Sequence, residues 1–181
     1  QGRRRGVSQT LEGTGGSAVR EFQKIRLEQF VRDSAHLAGS QEAAATWESL
    51  LMPRRATARS AGYDLLTPFD LQLSPGESVV VPTGLLVRME DDEVLLINTR
   101  SGHGFRYGLR LLNTQGWIDA DYADNPGNGG HILLALRNEG EKPFFLPAGK
   151  AVAQGMFVRY LTTGNDHPAE ESRTGGFGST G

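Results

Sequence analysis

Five short segments hold the side chains best suited to chemistry. SAGYDL (60–65) offers one carboxylate, Asp64, just after a glycine turn. TRSGHG (99–104) supplies a cation, a hydroxyl and two glycines. Arg100 can grip a phosphate through its planar fork, and Ser101 and the Gly102 amide can donate to phosphate oxygens. GWIDADY (116–122) carries Asp119, Asp121 and the Tyr122 ring; along a strand both carboxylates face one side and the ring the other. VAQGMF (152–157) places a single amide, Gln154, among apolar residues. SRTGGFGSTG (172–181) joins Arg173, Phe177 and Gly178 to the hydroxyls of Ser179 and Thr180. It lacks P-loop spacing, yet its amides and hydroxyls could wrap a polyphosphate. Taken singly, each segment also has a plainer reading. Asp119 could cap a hairpin, Tyr122 could fill a core, Gln154 could be a structural amide, and Gly-Phe-Gly could be a solvated tail. His36, His103, His131 and His167 show no metal-ligand spacing and read as solvated or turn residues.

The elements that must position these groups are mostly short strands. SVVVPTGLLVRM, EVLLINTR, GLRLLNTQGWI, HILLALRN, FFLPAG and AVAQGMFVRYL are β-rich runs, separated by turns such as SPGE, MEDDE, RNEGEK and LPAGK. No helix-length periodic run follows Pro53, so the reading is all-β, an antiparallel sandwich or barrel with its helices confined to an N-terminal insertion. Within that insertion EFQKIRL suggests a strand, and Leu27, Phe30, Val31, Ser34 and Leu37 have helical spacing. SQEAAATWESLLMP suggests a second helix, with Ser40 as N-cap and Pro53 as the stop. The expected organisation is a flexible arm over 1–19, a barrel domain over 20–165 with a helical insertion at about 28–52, and a glycine-rich arm over 166–181.

Composition narrows the classes. A chain of 181 residues is one ordinary domain. No cysteine is present, which removes thiolate catalysis, disulfides and thiolate metal sites. The formal net charge of -2 gives no global basic field for polymeric nucleic acid. No run approaches the roughly 18 apolar residues of a membrane helix, and the polar, Arg-rich start has no signal-peptide core. A cytoplasmic protein acting on a small charged substrate is the expectation.

Together and in this order, AGYDL, TRSG, NTQGWIDADY, AQGMF and RTGGFGSTG resemble the five motifs of the trimeric deoxyuridine triphosphatase (dUTPase) family, spread over about two thirds of the chain. The resemblance implies a distorted jelly-roll β-barrel, a homotrimer with active sites shared between subunits, and hydrolysis of dUTP to dUMP and pyrophosphate with Mg²⁺. That reaction keeps uracil out of DNA and supplies dUMP for thymidylate synthesis. Asp119 matches the family's general base, which activates a water for in-line attack on the α-phosphorus. Tyr122 matches the ring that packs on deoxyribose and excludes a 2′-hydroxyl. Asn113 matches the amide that reads uracil, with Gly116 and Ile118 in the same hairpin. Arg100, Ser101, Gly102 and Gln154 match phosphate contacts. Asp64 lies near the metal and base in relatives, acting through water rather than as a direct ligand. In the arm, Arg173 matches a γ-phosphate contact, Phe177 a cover over uracil, and Gly178, Ser179 and Thr180 the donors around the phosphates. Magnesium is expected on the triphosphate and water rather than in a protein cage.

Three departures stand out: a longer loop, ADNPGNGG, after Tyr122; Ala151 where the family often has Arg; and the two-helix N-terminal segment, expected to pack on the barrel. Two rival readings stay open at this point. One is a dCTP deaminase on the same barrel, from which the intact C-terminal motif differs. The other is a regulatory protein that binds nucleotide without turnover.

Overall fold

The computed structural model describes residues 20–168. All strand pairs in it are antiparallel. The largest sheet has the order β2 (Arg54–Arg55), β3 (Tyr63–Leu66), β12 (Ala151–Arg159), β7 (Glu93–Thr99), β9 (Gly116–Asp119). A three-stranded sheet joins β5 (Ser78–Pro82), β10 (Leu133–Asn138) and β8 (Leu109–Leu111). Two ribbons complete the β framework: β4 (Leu71–Leu73) with β11 (Phe144–Leu146), and β1 (Glu21–Lys24) with β6 (Leu85–Arg88). This mostly β architecture is the jelly-roll-like fold expected from the sequence.

Strand alternation builds the main core. Leu71, Leu73, Phe144 and Leu146 point inward while Gln72 and Phe145 point out. Leu134 and Leu136 of β10 meet Leu95 and Ile97 of β7 inside the same cluster. Asn138, fully buried, is paid for locally: its amide donates to the Leu73 and Lys142 carbonyls, and its Oδ1 accepts from Gly140 N–H.

A second, smaller core lies under α1 (Leu27–Ser34) and α2 (Ser40–Glu48), around Ile25, Phe30, Ala43, Phe69 and Leu86. The apolar run in β6 serves both cores, because Leu85 and Val87 face the barrel and Leu86 faces the helices. The insertion thus packs on the barrel. Trp47 Nε1 donates to the Ile25 carbonyl at 2.8 Å, and Lys24 Nζ donates to the carbonyls of Trp47 and Glu48 at the end of α2.

Three local expectations need correction. Gly39, not Ser40, caps α2, and no side chain completes that cap; the helix ends at Glu48, well before Pro53. A third helix, α3 (Ser101–Tyr107), occurs after Pro53, so helices are not confined to the insertion. Its two glycines and the absence of any buried residue leave no apolar stripe to read, and Gly108 at φ 67° closes it in the left-handed conformation. Finally, the strand ends at Asp119, and Ala120–Tyr122 form a 3₁₀ turn. The two-residue alternation that put Asp119 and Asp121 on one face therefore does not extend past Asp119.

Candidate active site

At one end of the large sheet the residues read as phosphate contacts converge. Asp64 on β3 is directly opposite Gln154 on β12, and Gln154 is opposite Asn98 on β7. Directly opposed residues share a face, so the three form one row. Arg100, the residue between β7 and α3, brings Nε within 3.5 Å of Asp64 Oδ1. Ser101 and Gly102 open α3, and the first amides of a helix have no acceptor within it. A cation and an amide side chain are thus set beside one carboxylate, with Ser101 and Gly102 next in sequence to the cation. Ala151, in place of the family's frequent Arg, contributes its carbonyl, which accepts from His103 Nε2 at 2.9 Å.

The nucleoside candidates line an adjoining cavity, and Thr114, next to Asn113, borders a recess of about 360 Å³ with Arg100 and Ser101. Asn113, Gly116, Ile118 and Tyr122 line one cavity of about 170 Å³ with Ile97, Leu111 and Leu134. Asn113 sits in the connection between β8 and β9, which belong to different sheets and do not pair, so the expected hairpin is a crossing between sheets. Nearby Gln115 is anchored by donating from Nε2 to Asn98 Oδ1 at 3.0 Å. The Tyr122 ring is 6% exposed. Its hydroxyl donates to the His131 carbonyl at 3.2 Å and accepts from Asn128 Nδ2 at 2.8 Å. Tyr122 is therefore both a packed ring and a wall of the cavity; the two readings of it are not exclusive.

The catalytic candidate stands apart from the phosphate group. Asp119 ends β9 and is opposite Val94, while Arg100 lies six positions further along β7 and its extension. At about 3.3 Å per residue this separates the two by roughly 20 Å along the strand. On the sheet face between them lie Leu96, Trp117 and Met156 in register, with Trp117 64% and Met156 41% exposed. Arg173, Phe177, Gly178, Ser179 and Thr180 lie outside the described residues.

The structure also shows polar residues around the site that the motif reading passed over. Arg54 is opposite Asp64 across β2 and β3, and both border a cavity of about 380 Å³. Its signal was only the basic pair ahead of AGYDL. His131 is a second omission: it is fully buried rather than a solvated or turn residue. Gly84 N–H donates to its Nε2 at 2.9 Å, and its Nδ1 lies 2.5 Å from Asp33 Oδ2. Among the described residues no group of three or more His, Cys, Asp or Glu is placed to hold a metal ion.

The family model for dUTPase matches residues 48–181. The deoxyuridine 5'-triphosphate nucleotidohydrolase of Lactococcus lactis is 41% identical over 131 residues, covering 72% of this chain and 87% of that protein. That of Methylobacillus flagellatus is 37% identical over 138 residues, with 72% and 88% covered. Among solved structures, the dUTPase from Streptococcus mutans is similar with a TM-score of 0.58 at 42% identity, covering 64% of this chain and 90% of that one. A dUTPase from phage phi11 of S. aureus matches with a TM-score of 0.56 at 23% identity, covering 68% and 92%, a likeness of fold. The chain belongs to the dUTPase family.

Proposed function

We propose that the chain hydrolyses dUTP to dUMP and pyrophosphate in active sites assembled from neighbouring subunits of a homotrimer. The observation that carries the reading is that Asn113, Gly116, Ile118 and Tyr122 line one and the same cavity, which puts an amide, a glycine and a ring around one recess. Asn113 pairs with uracil, where cytosine would leave the site's polar groups mismatched, a penalty that reaches about 10⁴–10⁵ in sites of this kind. Tyr122 packs on the deoxyribose.

Asp119 takes a proton from water as the water oxygen bonds to the α-phosphorus. The bond from that phosphorus to the bridging oxygen breaks, and its electron pair leaves with pyrophosphate. Ser101 donates towards the α,β-bridge, where charge grows, and so favours the transition state over the bound substrate. Arg100, the Gly102 amide and Gln154 hold the phosphates. Arg173, Phe177, Gly178, Ser179 and Thr180 close over them from the C-terminal segment. With no cage of three or more acidic or imidazole groups among the described residues, a Mg²⁺ would arrive on the nucleotide with its own oxygens and waters, and Asp64 would hold one of those waters. When bound, the ion offsets the triphosphate charge.

The roughly 20 Å between Asp119 and Arg100 supports sharing, since one triphosphate cannot meet both ends of the strand in a single chain. A head-to-tail association that closes as a ring joins the Asp119 end of one chain to the Arg100 end of the next, and covers the exposed Trp117 and Met156 row.

Pyrophosphate release from dUTP, dCTP, dTTP and UTP with Mg²⁺ tests the reading. Selective dUTP turnover that falls by about 10²–10⁴ in Asp119→Asn is the expected result. Binding of dUTP without turnover would overturn it in favour of a regulator, and ammonia release from dCTP in favour of a deaminase.

A further inference from the structure

We propose that Asp33, on the first helix of the N-terminal insertion, is a positioning residue that fixes the Tyr122 ring through His131 and thereby sharpens rejection of the 2′-hydroxyl. The inference rests on Tyr122 being the sugar-facing ring.

The connection is continuous and mostly buried. Gly84 N–H donates to His131 Nε2 at 2.9 Å. A nitrogen that accepts carries no proton, so the other one does, and Nδ1–H donates to Asp33 Oδ2 at 2.5 Å. Gln29 Nε2 donates to the same oxygen at 2.8 Å and holds the carboxylate on the helix. The His131 ring is thus oriented by two partners from two different elements. Its own carbonyl accepts from the Tyr122 hydroxyl at 3.2 Å and from Asn128 Nδ2 at 3.0 Å. Asn128 also donates to the Tyr122 hydroxyl, and Asn125 ties the intervening loop to the Tyr122 carbonyl. Gly130 permits this closure: at φ 87° it stays where a Cβ would meet the Tyr122 carbonyl at 2.9 Å. Removing Asp33 takes away the acceptor that sets the ring, and residue 131 then no longer fixes the height of the tyrosine in the cavity. Asn113, in the connection between β8 and β9, has no part in this chain of contacts.

The test measures kcat/KM for dUTP, UTP and dCTP in wild type, Asp33→Asn, Asp33→Ala and Tyr122→Ala. A shaped pocket rejects an added hydroxyl by about a hundredfold. Loss of ring position is expected to lower the dUTP/UTP ratio by about tenfold in Asp33→Ala and about threefold in Asp33→Asn, which keeps an acceptor. The dUTP/dCTP ratio stays unchanged. Should Asp33→Ala fail to fold, Asp33→Asn decides, because an unaltered dUTP/UTP ratio there overturns the proposal. An equal loss for all three nucleotides also overturns it, since that is loosened structure without a sugar effect. If Tyr122→Ala lowers the dUTP/UTP ratio and neither Asp33 variant does, the tyrosine reading stands and the Asp33 inference falls. If Tyr122→Ala leaves the ratio intact, both fall.

Discussion

Asp33 and Glu93 are carboxylates that the fold holds below the usual carboxylate range. Burial pushes each upward, but hydrogen bonds outweigh it: from His131 and Gln29 on Asp33, and from Arg20 and the Glu90 amide on Glu93. Arg20 Nε reaches both Glu93 oxygens, at 2.7 and 2.8 Å. A carboxylate whose pKa is lower folded than unfolded stabilises the fold at any pH above its unfolded value. That contribution is lost as the pH falls through the folded value. These two carboxylates should therefore leave the denaturant midpoint unchanged around neutrality and lower it below about pH 4. Glu93→Gln should lower the neutral midpoint and flatten the acid limb. An acid limb of wild-type steepness in Glu93→Gln would show that the unfolding is driven elsewhere. Neither carboxylate drew notice in the sequence, because what sets each apart is a partner 98 or 73 positions away. The candidate site residues stood out for the opposite reason, since each motif packs its chemistry into four to ten consecutive residues.

At the scale of elements, the strands were legible because β-branched and leucine-rich runs alternate between polar turns, whereas α3 and the 3₁₀ turn after Asp119 were not. Both are short, about two turns and one turn, and are set by what they adjoin rather than by their own periodicity. The seat of the N-terminal helices was equally hidden. It centres on Gly84, at φ 76°, where an added Cβ would run into Leu50 and come within 3.3 Å of Phe30. Gly84→Ala should cost about 1–3 kcal/mol through overpacking and backbone strain. The chain should show it as a lower melting temperature with faster hydrogen exchange over α1 and α2. Exchange spread evenly over the barrel strands instead would mean that the two cores unfold as one.

At the scale of the whole molecule, β7 keeps Asp119 apart from Arg100, and the proposed ring would bring the Asp119 of one chain to the Arg100 of the next. Asp119→Asn and Arg100→Ala homotrimers should each be nearly inactive. Unfolded together in equal amounts and refolded, they should regain activity, because about one site in four draws both intact residues from different chains. No recovery despite verified mixed trimers would place both residues in one chain's site and sink the shared arrangement. No feature of the sequence pattern announces this division, since a linear order of motifs carries no record of which chain's neighbour each one serves. The same two-ended strand has a genetic reading. A defective allele whose product still assembles would spoil pockets belonging partly to normal chains. At equal expression, a product faulty at both ends would leave about a quarter of the pockets wholly normal, so inheritance of one such copy would be felt as semi-dominant.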